Sequence, residues 1–327
     1  MKILSLFDWM SCWQIAINKL WITDYTYYAS EIDKYAIQVT QHNYPNTIQV
    51  WDVTWIEYKN NCLKTENTFM VNERFDLLIW WSPCQWFSFA GKQLNFEDER
   101  SKLFFEFVRI LKEVKPKYFL LENVKMKKEF QDVISEYLYW VNPIEINSSL
   151  VSAQNRKRLY WVWELQEDWT YKKVEIEQPE DRKIYLKDII ENEVDKWYFF
   201  SEDIMNNLKK YESNSRLSPL DLKSSTLNTM QWWHRQPKIC AMQVWQSKNF
   251  WNAWGSDKGY TIKTNTWHWV MWENYIRKLT PLECERLQTV PDNYTSIVSN
   301  SQRYKMLWNW WTVDVIVHIL SNLFLNL

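Results

Sequence analysis

The chain has 327 residues with a formal net charge of −1, and 46% of them are apolar, enough for one large and one small domain, each with its own core. The near-neutral balance excludes a strong global field for nucleic acid, although basic residues can still gather on one face. No run approaches 18 apolar residues, and only a short apolar stretch separates Lys2 from Asp8, so neither a membrane span nor a leader is expected and the cytoplasm is the expected location.

In chain order, Lys2 to Leu6 reads as a buried strand, Ser11 to Leu20 as a helix, Tyr25 to Ser30 as a strand and Asp33 to Asn43 as a helix. Phe75 to Ile79 is the next strand. Leu103, Phe107 and Leu111 recur at helical spacing, and Lys117 to Leu121 reads as a strand. This alternation predicts an α/β fold with a mostly parallel sheet and helices on both faces. From about Leu165 to Ile276 no period is sustained, which suits a separate, irregular domain. Past Arg277, Thr280-Pro281-Leu282-Glu283 resembles a helix start, and Val313, Ile316, Val317 and Leu320 form the apolar stripe of a final helix. Trp311 is expected at the start of that helix.

Five cysteines, Cys12, Cys62, Cys84, Cys240 and Cys284, lie scattered without C-x-x-C spacing. That argues against a disulfide framework and against a zinc site. The basic runs Lys125 to Lys128 and Arg156-Lys157-Arg158 read as solvated surface more often than as part of a DNA-facing patch.

The composition carries one anomaly, 24 tryptophans against 3 glycines, where roughly 7% usage would give about 23 glycines. Trp9 and Trp13 bracket the turn after the first strand, Trp80-Trp81 closes an apolar run before Ser82, and Trp232-Trp233 interrupts a polar stretch. At such places a chain usually needs a residue without Cβ. The positions suggest that many of these tryptophans stand for glycine, as when UGA codons meant as glycine are decoded as tryptophan. A genuinely tryptophan-rich protein is the alternative, and Trp161 and Trp311 are the two candidates for true tryptophan.

Several residues could carry chemistry. Ser82-Pro83-Cys84-Gln85 follows a parallel strand, at the edge where open α/β sheets place ligands, and a cysteine there is exposed to substrate. Glu122-Asn123-Val124 ends another strand at the same edge, and a nucleophile near an acid suits covalent catalysis on an electron-poor ring. Read with glycine at positions 9 and 13, the segment Phe7-Asp8-Trp9-Met10-Ser11-Cys12-Trp13 becomes a turn where backbone can approach a nucleotide-like ligand. Glu31 follows the second strand, placed for ribose hydroxyls, and Asp52 follows the third.

In this order the segments resemble the cytosine-C5 DNA methyltransferases. The resemblance runs over the Phe7 to Trp13 turn, Glu31, Asp52, Ser82-Pro83-Cys84-Gln85, Phe96-Glu97-Asp98-Glu99-Arg100, Glu122-Asn123-Val124, Gln154-Asn155-Arg156-Lys157-Arg158, Arg286-Leu287-Gln288 and Trp308-Asn309-Trp310. It implies an S-adenosylmethionine-dependent methyltransferase of Rossmann-like fold, organised as a catalytic and cofactor-binding domain (1–164), a target-recognition domain (165–276) and C-terminal helices returning to the first (277–327). It further implies Cys84 as the nucleophile that adds to C6 of cytosine, Glu122 as the group at N3 and the exocyclic amine, and Asn123 as the residue ordering the Pro83-Cys84 loop. Arg156 and Arg158 would be the active-site and phosphate-facing arginines.

The cofactor would touch Phe7, Glu31, Ile32, Asp52, Val53, Pro83, Leu103 and Asn309. The segment from Gln85 to Arg100, with Ser88 and Gly91, would close over DNA, and Thr226-Leu227-Asn228-Thr229 would belong to the recognition domain. Double-stranded DNA is the implied partner, with the target base out of the stack, and a cognate restriction endonuclease and a monomeric state are expected. Taken literally, indoles at the family's glycine positions would oppose cofactor binding. An RNA cytosine methyltransferase acting on tRNA and an inactive DNA-binding relative stay open, with a nicotinamide dehydrogenase more distant because the full glycine fingerprint is lacking.

Overall fold

A computed structural model of the chain describes residues 1–65, 69–70, 74–81, 99–199, 223–225, 238–239, 270–272 and 275–324. The core is an eight-stranded sheet. Its strands are β1 (Lys2–Leu6), β2 (Thr26–Ser30), β3 (Ile48–Gln49), β4 (Leu77–Trp81), β5 (Tyr118–Val124), β6 (Ile144–Asn147), β7 (Lys157–Leu165) and β8 (Tyr171–Lys173). Their spatial order is β8-β7-β5-β4-β1-β2-β3, with β6 also paired to β7. Strands β1 to β5 pair in parallel, whereas β7 runs antiparallel to β5, β6 and β8. The parallel half follows from hydrophobic runs such as Leu77–Trp81, buried at every position, as expected of strands covered on both faces.

Alternate side chains feed two cores. Ile3, Ala29, Ile79, Trp81, Leu120 and Tyr160 share one cluster with helix α1 (Cys12–Lys19), α2 (Lys34–Asn43), α5 (Pro281–Leu287), α6 (Asn300–Asn309) and α7 (Val313–Phe324). Leu4, Leu6, Trp80, Phe119, Leu121 and Trp161 face the other way, against α3 (Glu99–Val114) and α4 (Lys128–Tyr137). The Asp33 side chain caps α2 through the N–H groups of Tyr35 and Ala36. Thr280 and Glu283 cap α5 reciprocally, which satisfies two otherwise orphaned donors.

The predicted elements fall within a few residues of the observed ones, with two differences. β5 runs on through Glu122, Asn123 and Val124, so these residues are held by strand pairing and not by a loop. Trp311 lies between α6 and α7 and does not start the last helix, which begins two residues later at Val313. Residues just beyond β7 also pack on the sheet: β8 extends it, and Leu186, Ile189 and Tyr198 are buried in the first core. Phe199 forms a bridge to Arg277.

Fourteen described residues other than glycine have positive φ, and five of them are Trp9, Trp21, Trp51, Trp140 and Trp169, at φ 55 to 65°. A left-handed conformation costs a residue bearing Cβ about 1–2 kcal/mol. Among the described residues no helix is long and apolar enough to cross a membrane, and no cluster of three metal-ligating side chains occurs.

Candidate active site

The strand order reverses at β1, whose neighbours are β2 and β4. A crevice opens beyond the carboxyl ends of the strands at such a switch point. The turn leaving β1 lines it, and Phe7, Trp9 and Ser11 are all left-handed there. The Asp8 carboxylate, buried beneath the turn, accepts hydrogen bonds from the Tyr27 hydroxyl at 2.6 Å and from the Ser11 hydroxyl. Burial raises the pKa of Asp8, while the bonds from Ser11, Tyr27 and Ser5 oppose the rise. In the sequence Asp8 stands out only as part of the turn, because an acid in a loop carries no mark of burial.

Glu31, at the end of β2, is also buried. One carboxylate oxygen accepts the backbone N–H of Trp9 at 2.8 Å, and the other accepts those of Ile32 and Asp33, each at 2.8 Å. Burial raises its pKa, and these three backbone donors pull the other way. A carboxylate has about four acceptor sites, so Glu31 keeps capacity for a ligand hydroxyl. Beside it Ile32 is 73% exposed. Asp52 accepts from the Thr54 N–H and hydroxyl, both at 2.8 Å, and Val53 is buried next to it. Phe7 lies 6.4 Å from Trp80 between ring centroids. Leu103 sits on α3, packed against the second core.

On the other side of β1, the crevice is filled by indoles. Ring centroids of Trp9 and Trp81 are 6.1 Å apart, those of Trp81 and Trp310 6.1 Å, and those of Trp310 and Trp311 5.7 Å. The Trp9 indole N–H reaches the Met306 carbonyl at 3.1 Å. Asn309, on the last turn of α6, is engaged by its own helix, donating to the Lys305 carbonyl at 3.0 Å.

The second group of predicted residues gathers at the end of β5. Glu122 is 1% exposed and pairs in register with Trp81 on one side and Tyr160 on the other. Arg158 Nε stands 2.9 Å from its carboxylate, and Arg156, fully buried, lies near enough to act on it. Burial raises the pKa of Glu122, and the positive charges of Arg158 and then Arg156 counter part of that. The Asn123 side chain accepts from the Val124 N–H at 2.7 Å, but its Nδ2 has no partner among the described residues although the residue is fully buried. Gln154, equally buried, has neither amide atom paired there. Unmet buried amides are uncommon.

Lys125 and Lys128 point outward into ion pairs with Glu145 at 2.8 Å and Asp132 at 2.6 Å. Ser82, Pro83, Cys84, Gln85, Ser88, Gly91, Trp232, Trp233 and the Thr226 to Thr229 segment lie outside the described residues.

The family model described as C-5 cytosine-specific DNA methylase matches residues 1–325. The orphan methyltransferase M.SPRI of Bacillus phage SPR is 27% identical, over 99% of this chain and 97% of its own length. The type II methyltransferase M.HhaI of Haemophilus parahaemolyticus is 26% identical, over 90% of this chain and 86% of its own. Among solved structures, the S. pombe Dnmt2 methyltransferase shares the fold at a TM-score of 0.66 and 16% identity, covering 100% of this chain and 99% of that one.

Proposed function

Because that match spans residues 1–325, the chain belongs to the C-5 cytosine-specific DNA methylases, and we propose that it directs a methyl group from S-adenosylmethionine to C5 of cytosine in double-stranded DNA. The observation that carries the reading is the buried Glu122, 2.9 Å from Arg158 and in register with Trp81, three residues before Cys84. A base must leave the stack to reach such a site. Cys84 is the nucleophile for C6 of that base. Glu122, whose pKa burial raises, contacts N3 and the exocyclic amine of the ring and stabilises the protonated adduct. Arg158 and Arg156 compensate its carboxylate. The orphaned Nδ2 of Asn123 suits a carbonyl of the Pro83-Cys84 loop.

The residues present fit one half of the cofactor. Phe7, Glu31, Ile32, Asp52 and Val53 offer hydroxyl acceptors and apolar cover for an adenosine, with Leu103 on α3 and Pro83 as the further contacts the family resemblance implies. The other half, toward Asn309, does not fit, since the rings of Trp9, Trp81 and Trp310 stand in it.

The reading divides the chain into a catalytic unit (1–164), a recognition segment (165–276) and returning helices (277–327), acting as a cytoplasmic monomer. A restriction endonuclease of the same site specificity is the matching partner for a methyltransferase of the type II kind. The test is methyl transfer to duplex DNA by a chain carrying Trp9→Gly, Trp81→Gly and Trp310→Gly, with and without Cys84→Ala. Transfer is expected to vanish with the cysteine while cofactor binding persists. Undiminished turnover without Cys84 overturns the mechanism, and transfer to tRNA in preference to duplex DNA overturns the substrate.

A further inference from the structure

The five left-handed tryptophans occupy turns whose geometry is set by backbone hydrogen bonding. Trp21 follows the C-cap of α1: its N–H bonds to the Asn18 carbonyl at 3.0 Å, and the Ile22 N–H bonds to the Ile17 carbonyl at 3.3 Å. That pair of bonds defines a Schellman motif, and the left-handed residue at its centre is usually glycine. Trp140 sits just past α4, its N–H on the Ser135 carbonyl at 2.6 Å. Trp169 closes the hairpin between β7 and β8, with its N–H on Gln166 and the Gln166 N–H on Thr170, where a three- to five-residue loop calls for a left-handed glycine. Trp51 follows β3, and Trp9 lies in the crevice turn.

Three of these side chains are largely exposed, Trp169 with the Lys115 ammonium over its ring. Trp21 is 89% exposed, Trp140 71% and Trp169 66%, although the largest apolar side chain normally favours burial.

A second observation is independent of φ. The indole N–H groups of Trp81, Trp163 and Trp310 are buried and have no partner among the described residues, whereas a buried tryptophan usually finds one. Trp161 behaves differently: fully buried, its N–H donates to the Ser135 hydroxyl at 3.1 Å.

We propose that the working polypeptide carries glycine, and not tryptophan, at positions 9, 21, 51, 140 and 169 and at 81, 163 and 310, while Trp161 is a true tryptophan. The gene is then read with UGA as glycine, and the indoles that fill the crevice are absent from the active protein. The assignment at 21, 140 and 169 is independent of function. The opening of the crevice at 9, 81 and 310 rests on the methyltransferase reading.

The first measurement is thermal denaturation of Trp21→Gly, Trp140→Gly and Trp169→Gly. Each is expected to raise Tm by roughly 2 °C, opposite to the usual effect of introducing glycine, while Trp161→Gly lowers it. Unchanged or lowered Tm in the three turn variants overturns the assignment, as do UGG codons at those positions. The second measurement is calorimetric titration with S-adenosylmethionine. Trp9→Gly/Trp81→Gly/Trp310→Gly is expected to bind at least about tenfold more tightly than the tryptophan-bearing chain, a difference of about 1.4 kcal/mol. Stabilised turns without improved binding leave the glycine assignment standing and overturn the cofactor reading of the crevice.

Discussion

The carboxylate of Glu31 holds the backbone N–H of Trp9 at 2.8 Å across 22 residues of sequence. The bond ties the end of β2 to the left-handed turn after β1, so one side chain fixes the backbone of that turn. Replacing Glu31 by Ala strands three buried or half-buried N–H groups. The expected loss is about 2–3 kcal/mol of unfolding free energy, measured by urea denaturation. Glu31→Gln, which keeps an acceptor oxygen, is expected to lose less.

A buried ion pair between Arg277 and the first turn of α5 gives a larger effect. Arg277 and Glu283 are 2% and 0% exposed, joined by two bonds of 2.8 and 2.6 Å, and Glu283 also accepts the N–H groups of Thr280 and Glu191. Removing one partner leaves a charge buried without compensation. Glu283→Gln is expected to cost about 3–5 kcal/mol in the same denaturation assay, and a change below the noise of the assay contradicts the pairing.

The protonation of Glu122 sets a pH dependence whose sign is fixed. Its pKa is raised by burial despite Arg158 and Arg156, so the native state binds more protons than the unfolded chain over that interval. Stability contributed by this group is present below the ordinary carboxylate value and is lost as pH rises through the raised one. Glu122→Gln is expected to remove that fall. Unfolding free energies of the two proteins, followed from acid to neutral pH, should converge or cross in favour of the variant, and a gap widening in favour of Glu122 contradicts the direction.

Arg158 acts on the same group. As the first of the two countering charges, its loss in Arg158→Ala is expected to raise the Glu122 pKa further. In the glycine-bearing enzyme the falling limb of the pH-rate profile then moves to higher pH, while Lys125→Ala, on an exposed surface pair, leaves it in place.

Much of this arrangement is legible in the residues. The apolar runs at Lys2–Leu6 and Leu77–Trp81 and the helical spacing of Leu103, Phe107 and Leu111 locate the sheet and α3, because burial on both faces or one imposes its own period. Strand ends then place Glu31 and Glu122 at one edge. The Asp8–Tyr27 bond is not legible, since the partners are 19 residues apart and meet only through parallel pairing of β1 with β2. The packing of Tyr171–Lys173, Leu186 and Tyr198 on the catalytic sheet escapes for another reason: those elements are three residues long and show no period. The excess of tryptophan is visible at once, and Trp9 and Trp81 stand out by their places in the sequence, but the left-handed φ of Trp21, Trp51, Trp140 and Trp169 and the unmet indole N–H of Trp163 do not.

The account rests most directly on modification of cytosine at C5. Bisulfite sequencing of DNA from a host expressing the chain with Trp9→Gly, Trp81→Gly and Trp310→Gly should show protected cytosines at one recurrent sequence, and none when Cys84→Ala is added. Uniform conversion of every cytosine by a folded, cofactor-binding protein, or protection that survives the loss of Cys84, contradicts it.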